Sequence, residues 1–187
     1  MNKSIKLLIL IILSLSVYFI YTYTNKPIKV LILGDKNITF SNISVIINNK
    51  YAMNNLSTKH LLEKIKLERN IKRELIESHY LILRVGYNDL LYDLSLEDDI
   101  NNHHFNKITK SIKTDYNNLI NEIRKYYKNK IIVVGYPRTK KEDYYLNIGI
   151  KKLNKILKNN KEITYIDTYY CQNKGIEDKI INEILAK

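Results

Sequence analysis

Cysteine, tryptophan, proline and glycine are all scarce in this chain. Its 187 residues include one Cys, no Trp, two Pro and five Gly. The single Cys171 excludes an intramolecular disulfide framework and any zinc or iron–sulfur site built from several cysteines. Few Pro and Gly are typical of a helix-rich or α/β chain, and 45% hydrophobic residues suffice to bury a core. We therefore expect one domain of ordinary size.

Acidic residues are also in short supply, and so is arginine. Asp and Glu total 19 against 31 Lys and Arg, a formal net charge of +12, and only five of the 31 are Arg. Nucleic-acid surfaces favour Arg for bidentate contacts and gather their basic residues in a stripe. The scattered lysines therefore argue against nucleic acid. They fit an anionic membrane surface, a wall glycan or other anionic polymer, or a protein partner.

The first residues contain a long uncharged stretch. Leu7 to Thr24 form 18 residues without a charge, preceded by Lys3 and Lys6. As a helix they would span about 27 Å at about 1.5 Å per residue, which is enough for a bilayer core. Tyrosines cluster at the outer end, where their rings favour the interface. The stretch predicts one N-terminal transmembrane helix within a signal anchor over residues 1–26.

This anchor also predicts where the rest of the chain lies. Long domains translocate largely regardless of charge, so residues 27–187 are expected on the extracytoplasmic side of the membrane. Two alternatives stay open. A cleaved signal peptide would release the domain as a secreted protein, and the stretch could instead be a buried core helix.

Beyond the anchor, short apolar strands alternate with helical patterns. The predicted strands are Ile28–Leu33, Tyr80–Val85, Ile131–Val134 and Ile163–Ile166. Helices are predicted for 57–78, with a break near Asn70, and for segments with apolar residues every three or four positions around 108–127, 146–157 and 176–184. Thr139 to Glu142 reads as a capping box opening the helix that contains Leu146. The segment from Lys36 to Ala52 leaves room for only a short helix or a short strand.

Alternation of this kind predicts an α/β fold. Near-continuous apolar strands indicate a central, mostly parallel sheet covered on both faces. The expected architecture is a three-layer αβα sandwich with a flavodoxin-like layout. Ligands of such sheets bind beyond the carboxyl ends of the strands, which places the candidate site after Leu33, Val85, Val134 and Ile166.

Two of these strand ends carry motifs. Gly34-Asp35-Lys36 follows the first strand, and Gly86-Tyr87-Asn88-Asp89 follows the second predicted one. Their order and strand context resemble the SGNH (GDSL-type) hydrolases, whose first block reads Gly-Asp-Ser and whose third reads Gly-x-Asn-Asp. The resemblance covers roughly residues 28–187. It implies an SGNH-hydrolase-like fold and ester hydrolysis by a Ser nucleophile, a His base and an oxyanion hole, with no cofactor or metal.

The resemblance also implies which positions carry the chemistry, and several are substituted. Lys36 stands where the family has its nucleophile, and no glycine lies in the second block, where 54–57 offers asparagine, which tolerates left-handed backbone. Asn88 and Asp89 keep the third block. Cys171 stands where the catalytic His would fall, four residues after Asp167. Asp35, Lys36, Gly86, Asn88, Asp89, Asp167 and Cys171 are therefore the positions of a degenerate site.

Three functions follow as hypotheses. The first is a membrane-tethered, SGNH-like domain that has lost hydrolysis and binds a ligand or partner at the cell envelope. The second is an active esterase with a displaced nucleophile such as Ser41, or with Cys171 and a base from His103 or His104. The third is a basic assembly protein of the envelope surface whose cleft is unused. Cys171 could also be a small buried residue, and Asn88 and Asp89 could simply fix their loop.

Overall fold

A computed structural model describes residues 3–24, 28–34, 46–53, 55–96, 102–140, 142–171 and 173–185. Five strands and seven helices are found in these ranges. The strands are β1 (Lys29–Gly34), β2 (Ile46–Ala52), β3 (Tyr80–Arg84), β4 (Ile131–Val134) and β5 (Thr164–Ile166). The helices are α1 (Lys3–Thr24), α2 (Thr58–Leu67), α3 (Arg69–Glu77), α4 (Tyr87–Ser95), α5 (Asn102–Tyr126), α6 (Tyr144–Lys158) and α7 (Asn173–Leu185).

The strands form one parallel sheet in the order β2-β1-β3-β4-β5. Parallel register aligns the strand ends, with Gly34 opposite Ala52 on one side and Arg84 on the other. From β1 the chain runs outward to β2 at one edge of the sheet. It then crosses over β1 to form β3 on the other side, and β4 and β5 follow in order to the opposite edge. The α/β fold with a parallel sheet is therefore confirmed. Its carboxyl edge collects the loops after β1, β2, β3, β4 and β5.

Successive side chains of each strand enter two different cores. Leu31, Leu81 and Val133 pack with α2 to α6, whereas Ile32, Ile82 and Val134 pack with α7. A strand period of two explains this division, and burial on both faces explains why the strands read as continuous apolar runs. Helices on both faces of the sheet give the predicted three layers.

Two helix boundaries predicted from the sequence can be compared with the structure. The predicted break near Asn70 occurs at Glu68, which separates α2 from α3. The capping-box prediction is wrong, because α6 begins at Tyr144 and its N-cap is Asp143. Thr139 instead donates its backbone N–H to Asn147 Oδ1 at 2.9 Å. Thr139 and Lys140 therefore precede α6 and are held in place by the Asn147 side chain of that helix.

Helix α1 covers most of the predicted anchor. Its described side chains, those of residues 9–19 and Tyr21, are exposed, including Leu10 and Phe19 at 68% each. Over the described residues, however, no helix meets both the length and the apolarity that crossing a bilayer requires. The membrane anchor therefore stays a prediction.

Candidate functional site

Close backbone approach shapes the start of the carboxyl edge. Gly34 ends β1 with φ +109°, and a Cβ placed there would lie 2.0 Å from the carbonyl oxygen of Arg84 on the neighbouring strand. Only glycine fits, since both the left-handed φ and the contact exclude a side chain. Asp35 and Lys36, the next two candidate site residues, lie outside the described residues, as do Ser41 and Ser44.

The loop after β2 lies directly beside Gly34. Met53 donates its N–H to the Gly34 carbonyl at 2.8 Å, which extends the pairing of β1 and β2 by one residue. Asn55 then turns the chain with φ +57°, the only non-glycine residue with positive φ in the described chain. This is the left-handed backbone that asparagine tolerates, and it brings Ser57 to the N-cap of α2.

Asn88 and Asp89 tie the loop after β3 to the loop after β2. Asn88 Nδ2 donates to the Leu56 carbonyl at 3.2 Å. Asp89 accepts from the Thr58 N–H at 2.9 Å and from its hydroxyl at 2.8 Å. The carboxylate thus meets the amino end of α2, where the helix dipole favours negative charge. Both side chains fix the two loops relative to each other.

Gly86 sets the direction of these two side chains. Its φ is +119°, and it serves as the N-cap of α4. A Cβ there would lie 3.2 Å from Leu153 of α6, so the turn is compact as well as left-handed. The helix begins at the next residue, which places Asn88 and Asp89 in its first turn, facing α2.

An aromatic stack occupies the middle of the edge. Tyr136, which is 3% exposed, stacks on Tyr87 with 5.2 Å between ring centroids. The guanidinium of Arg84, also buried, lies 4.8 Å from the Tyr136 centroid. Asn154 of α6 holds the Tyr136 backbone in place. Its Oδ1 accepts from the Tyr136 N–H at 2.9 Å, and its Nδ2 donates to the Tyr136 carbonyl at 2.8 Å.

Cys171 lies in the loop after β5. Its side chain is partly buried and packs against the core that α7 covers, so the small buried residue considered from the sequence is found in part. Lys179 of α7 places its ammonium 3.1 Å from Cys171 Sγ and 2.8 Å from the Asp167 carbonyl. The Asp167 carboxylate accepts from the Tyr169 N–H at 3.0 Å, which closes a turn. A lysine therefore lies at the thiol, where the catalytic histidine of an intact site was expected.

Tyr165 completes this side of the edge. Burial, reinforced by the nearby charge of Asp167, raises the pKa of the Tyr165 phenol well above its usual range. Its buried hydroxyl has no hydrogen-bond partner within the described chain. A neutral phenol packed against Gly135 is therefore a structural feature of the loop after β4.

A cleft of about 530 Å³ opens between α2, α4 and α5, beside Asn55 and Asn88. Lys59 and Asp115 form an ion pair across it at 3.6 Å. His60 and Ser57 also line the cleft, and Ser57 Oγ accepts from the His60 backbone N–H at 3.2 Å. Of the predicted site residues that are described, Asn88 and Asp89 share this cleft, and Asp167 and Cys171 lie in another loop.

Two residues of the edge, Arg84 and Lys179, were not predicted from the sequence. Arg84 was the one charge inside the apolar run Tyr80–Val85, and that anomaly was the available signal. Lys179 is one of many lysines. In the described chain, no group of three or more His, Cys, Asp or Glu side chains could hold a metal ion.

Comparison with known proteins places this fold among esterases and lipases. No family model matches the chain, and no curated protein matches its sequence. Among solved structures, the lipase Lip_vut3 from a goat rumen metagenome aligns with TM-score 0.60 and 18% identity over 76% of this chain and 81% of its own. A catalytic mutant of Axe2, an acetylxylan esterase from Geobacillus stearothermophilus, aligns with TM-score 0.56 and 10% identity over 82% and 80%.

A mutant of the esterase AlinE4 also aligns, with TM-score 0.52 and 12% identity over 87% of this chain and 94% of its own. These neighbours are consistent with an SGNH-like hydrolase fold. At such identities the likeness concerns the fold alone.

Proposed function

We propose that this chain is a membrane-tethered, SGNH-like domain that binds a ligand at the cell envelope and does not hydrolyse it. The observation that carries the proposal is the use made of Asn88 and Asp89. Asn88 donates to the Leu56 carbonyl, and Asp89 is bound twice by Thr58. The third block thus serves to hold loops together. Lys36 at the nucleophile position and Cys171 at the base position support the same conclusion.

Loss of nucleophile and base removes most of the rate of such a site. A triad lacking them retains about 10³–10⁴-fold acceleration over water, from the oxyanion hole and binding. The cleft itself persists at about 530 Å³, within the size range of small-molecule sites. Its lining includes exposed Tyr92 and His60, which offer stacking and hydrogen bonding to a carbohydrate or acylated ligand.

The proposal is tested on the full chain in detergent micelles. Acetylated xylo-oligosaccharide is chosen as the probe because one neighbour is an acetylxylan esterase. Acetate release and saturable binding are measured in parallel, with Tyr92→Ala as the variant and Tyr144→Ala, an equally exposed tyrosine of α6, as the matched control. We expect binding that weakens only with Tyr92→Ala, and no acetate release. Absence of binding, or equal loss in both variants, would contradict it.

Hydrolysis with a displaced nucleophile is the second candidate. One observation favours it, because Ser57, His60 and Asn88 line the same cleft. A serine-reactive phosphonate tests it directly. Covalent labelling of Ser57 or Ser41, with turnover of an activated ester that Asn88→Ala lowers and Asn159→Ala does not, would establish an esterase and displace the binding-only proposal.

Location at the membrane is supported by the apolar stretch Leu7 to Thr24 and by the exposed side chains of α1. The single Cys171 provides the assay, since it is half-exposed and has no competitor in the chain. A membrane-impermeant maleimide should label it on intact cells, and Cys171→Ser should abolish labelling. Labelling that appears only after permeabilisation would place the domain on the cytoplasmic side.

A further inference from the structure

Helix α6 carries charge of a single sign. Its basic residues are Lys151, Lys152, Lys155 and Lys158, and it contains no Asp or Glu. The opposite face buries Ile150, Leu153 and Leu157 against the sheet, so the lysines fill the solvent-facing part of the helix. Four cations within about 12 Å of helix length concentrate positive potential along one ridge.

A groove of about 360 Å³ runs along one side of this ridge, between α5 and α6. Lys113, Lys152 and Lys155 line it, and its other polar side chains are asparagines and a threonine. No carboxylate takes part. The groove therefore offers ammonium, amide and hydroxyl donors, which suits the oxygen atoms of an anion.

The three lysines of the groove are not consumed by acids of the same chain. Within the described ranges, no ion pair involves Lys113, Lys152 or Lys155. Lys152 donates to Asn106 Oδ1 at 3.0 Å and lies 5.4 Å from the Phe105 ring centroid. These neutral contacts orient the ammonium at the groove and leave its charge available to an external anion.

A second groove, of about 240 Å³, lies on the other side of the ridge. Lys151, Lys155 and Lys158 line it together with Tyr169 and Tyr170. Lys151 lies 5.6 Å from the Tyr169 ring centroid. The one carboxylate that lines this groove is that of Asp167, which accepts from the Tyr169 N–H. Lys155 belongs to both grooves and joins them across the ridge.

We propose that α6 binds a linear polyanion with repeated phosphate groups, which lies in the first groove, crosses Lys155 and enters the second. Lysine suits this ligand because it acts as a mobile point charge and needs no fixed bidentate geometry. Two concave grooves joined over a ridge fit a flexible chain better than the flat surface of a bilayer. The site is separate from the cleft beside Asn88, so it does not depend on the proposed function.

The test uses the full chain in detergent micelles and inorganic polyphosphate as the probe. The variant is the triple change Lys113→Gln, Lys152→Gln and Lys155→Gln. The matched control changes the exposed Lys66, Lys128 and Lys140 to Gln, which removes the same charge elsewhere. Thermal unfolding of both triples shows whether each is folded. Binding is measured at two salt concentrations, and anionic vesicles are measured in parallel.

We expect the groove triple to lose about tenfold or more in polyphosphate affinity and to show a weaker salt dependence, because each lost phosphate contact removes counterion release. The control triple should stay within about twofold. Equal losses in both triples would overturn the proposal, since affinity would then follow net charge alone. A groove triple that loses vesicle binding but not polyphosphate binding would overturn it in favour of a lipid surface.

Discussion

Asn154 is the residue whose removal should most damage the carboxyl edge. It is buried on α6, and its side-chain amide makes two hydrogen bonds to the Tyr136 backbone, at 2.9 and 2.8 Å. The same helix provides a control two turns earlier. Asn147 makes an equivalent pair, accepting from the Thr139 N–H and donating to the Lys140 carbonyl, both at 2.9 Å, in a more exposed setting.

Replacing the two asparagines should cost different amounts of folding free energy. The backbone groups that Asn147 pairs with can reach water, whereas those that Asn154 pairs with are buried. Asn154→Ala removes the amide that pairs with a buried N–H and a buried carbonyl, at about 1–3 kcal/mol each, so we expect a loss of roughly 2–6 kcal/mol. Asn147→Ala lets solvent replace the lost partners, so its cost should be about 1 kcal/mol. A loss at the upper end would be a large fraction of the stability of a typical domain.

Urea unfolding of the full chain in mild detergent measures both losses, followed by tyrosine fluorescence and by circular dichroism. Coincident transitions would justify a two-state free energy. A difference between the two variants below about 0.5 kcal/mol would refute the reasoning, because it would mean that the Tyr136 backbone finds other partners once the amide is gone. Tyr136→Phe is expected to leave the stability difference between Asn154→Ala and Asn147→Ala unchanged, because Asn154 bonds to the Tyr136 backbone and not to its ring.

Other changes test the core. Tyr116→Phe should leave stability unchanged or raise it by about 1 kcal/mol, because the buried Tyr116 hydroxyl has no hydrogen-bond partner within the described residues. Tyr127→Phe should lower it by about 1–3 kcal/mol, because the single hydroxyl proton of Tyr127 is shared between the carbonyls of Lys130, at 2.8 Å, and His79, at 3.0 Å. Burial raises the pKa of both phenols. The unfolded chain therefore ionises first, and stability should fall above about pH 10 in a pH series of urea titrations, less steeply in Tyr116→Phe. Gly135→Ala should cost about 1–3 kcal/mol in thermal unfolding, because its Cβ would lie 2.3 Å from the Tyr165 hydroxyl, whereas Gly175→Ala meets no atom within 4 Å and should be neutral or stabilising.

The fold followed from the sequence wherever burial on both faces left a continuous signal. The apolar runs ending at Leu33, Val85, Val134 and Ile166 match β1, β3, β4 and β5 to within one residue at each end. Strand β2 was not located, because its sequence Ile46–Ala52 contains two asparagines and a lysine. An edge strand needs less apolar surface than a central one, so its pattern is weaker.

The site was harder to predict than the fold, and for a physical reason. Gly34, Gly86 and Asn55 could be recognised because left-handed backbone restricts the residue type. The partners of Asn88 and Cys171 could not be predicted. The Leu56 carbonyl is 32 residues from Asn88 in sequence, and the Lys179 ammonium reaches Cys171 only because of how α7 packs after its loop. A backbone conformation restricts the residue type at its own position and can be predicted from the sequence, whereas a partner brought close by tertiary packing cannot.

Asn88 and Asp89 connect two loops of this edge. In an oxyanion hole, donors are aimed at an empty position where charge develops during the reaction. Asn88 instead donates to a carbonyl that is always present, and the Asp89 carboxylate is bound by Thr58 at the amino end of α2. Each of these bonds stabilises the folded loops. Under the proposed function, Lys36→Ser alone should yield little hydrolysis, because Cys171 would still stand at the base position. Ester turnover by Lys36→Ser that approached that of an intact hydrolase would show a working base and oxyanion donor at this edge, and would contradict the proposed function.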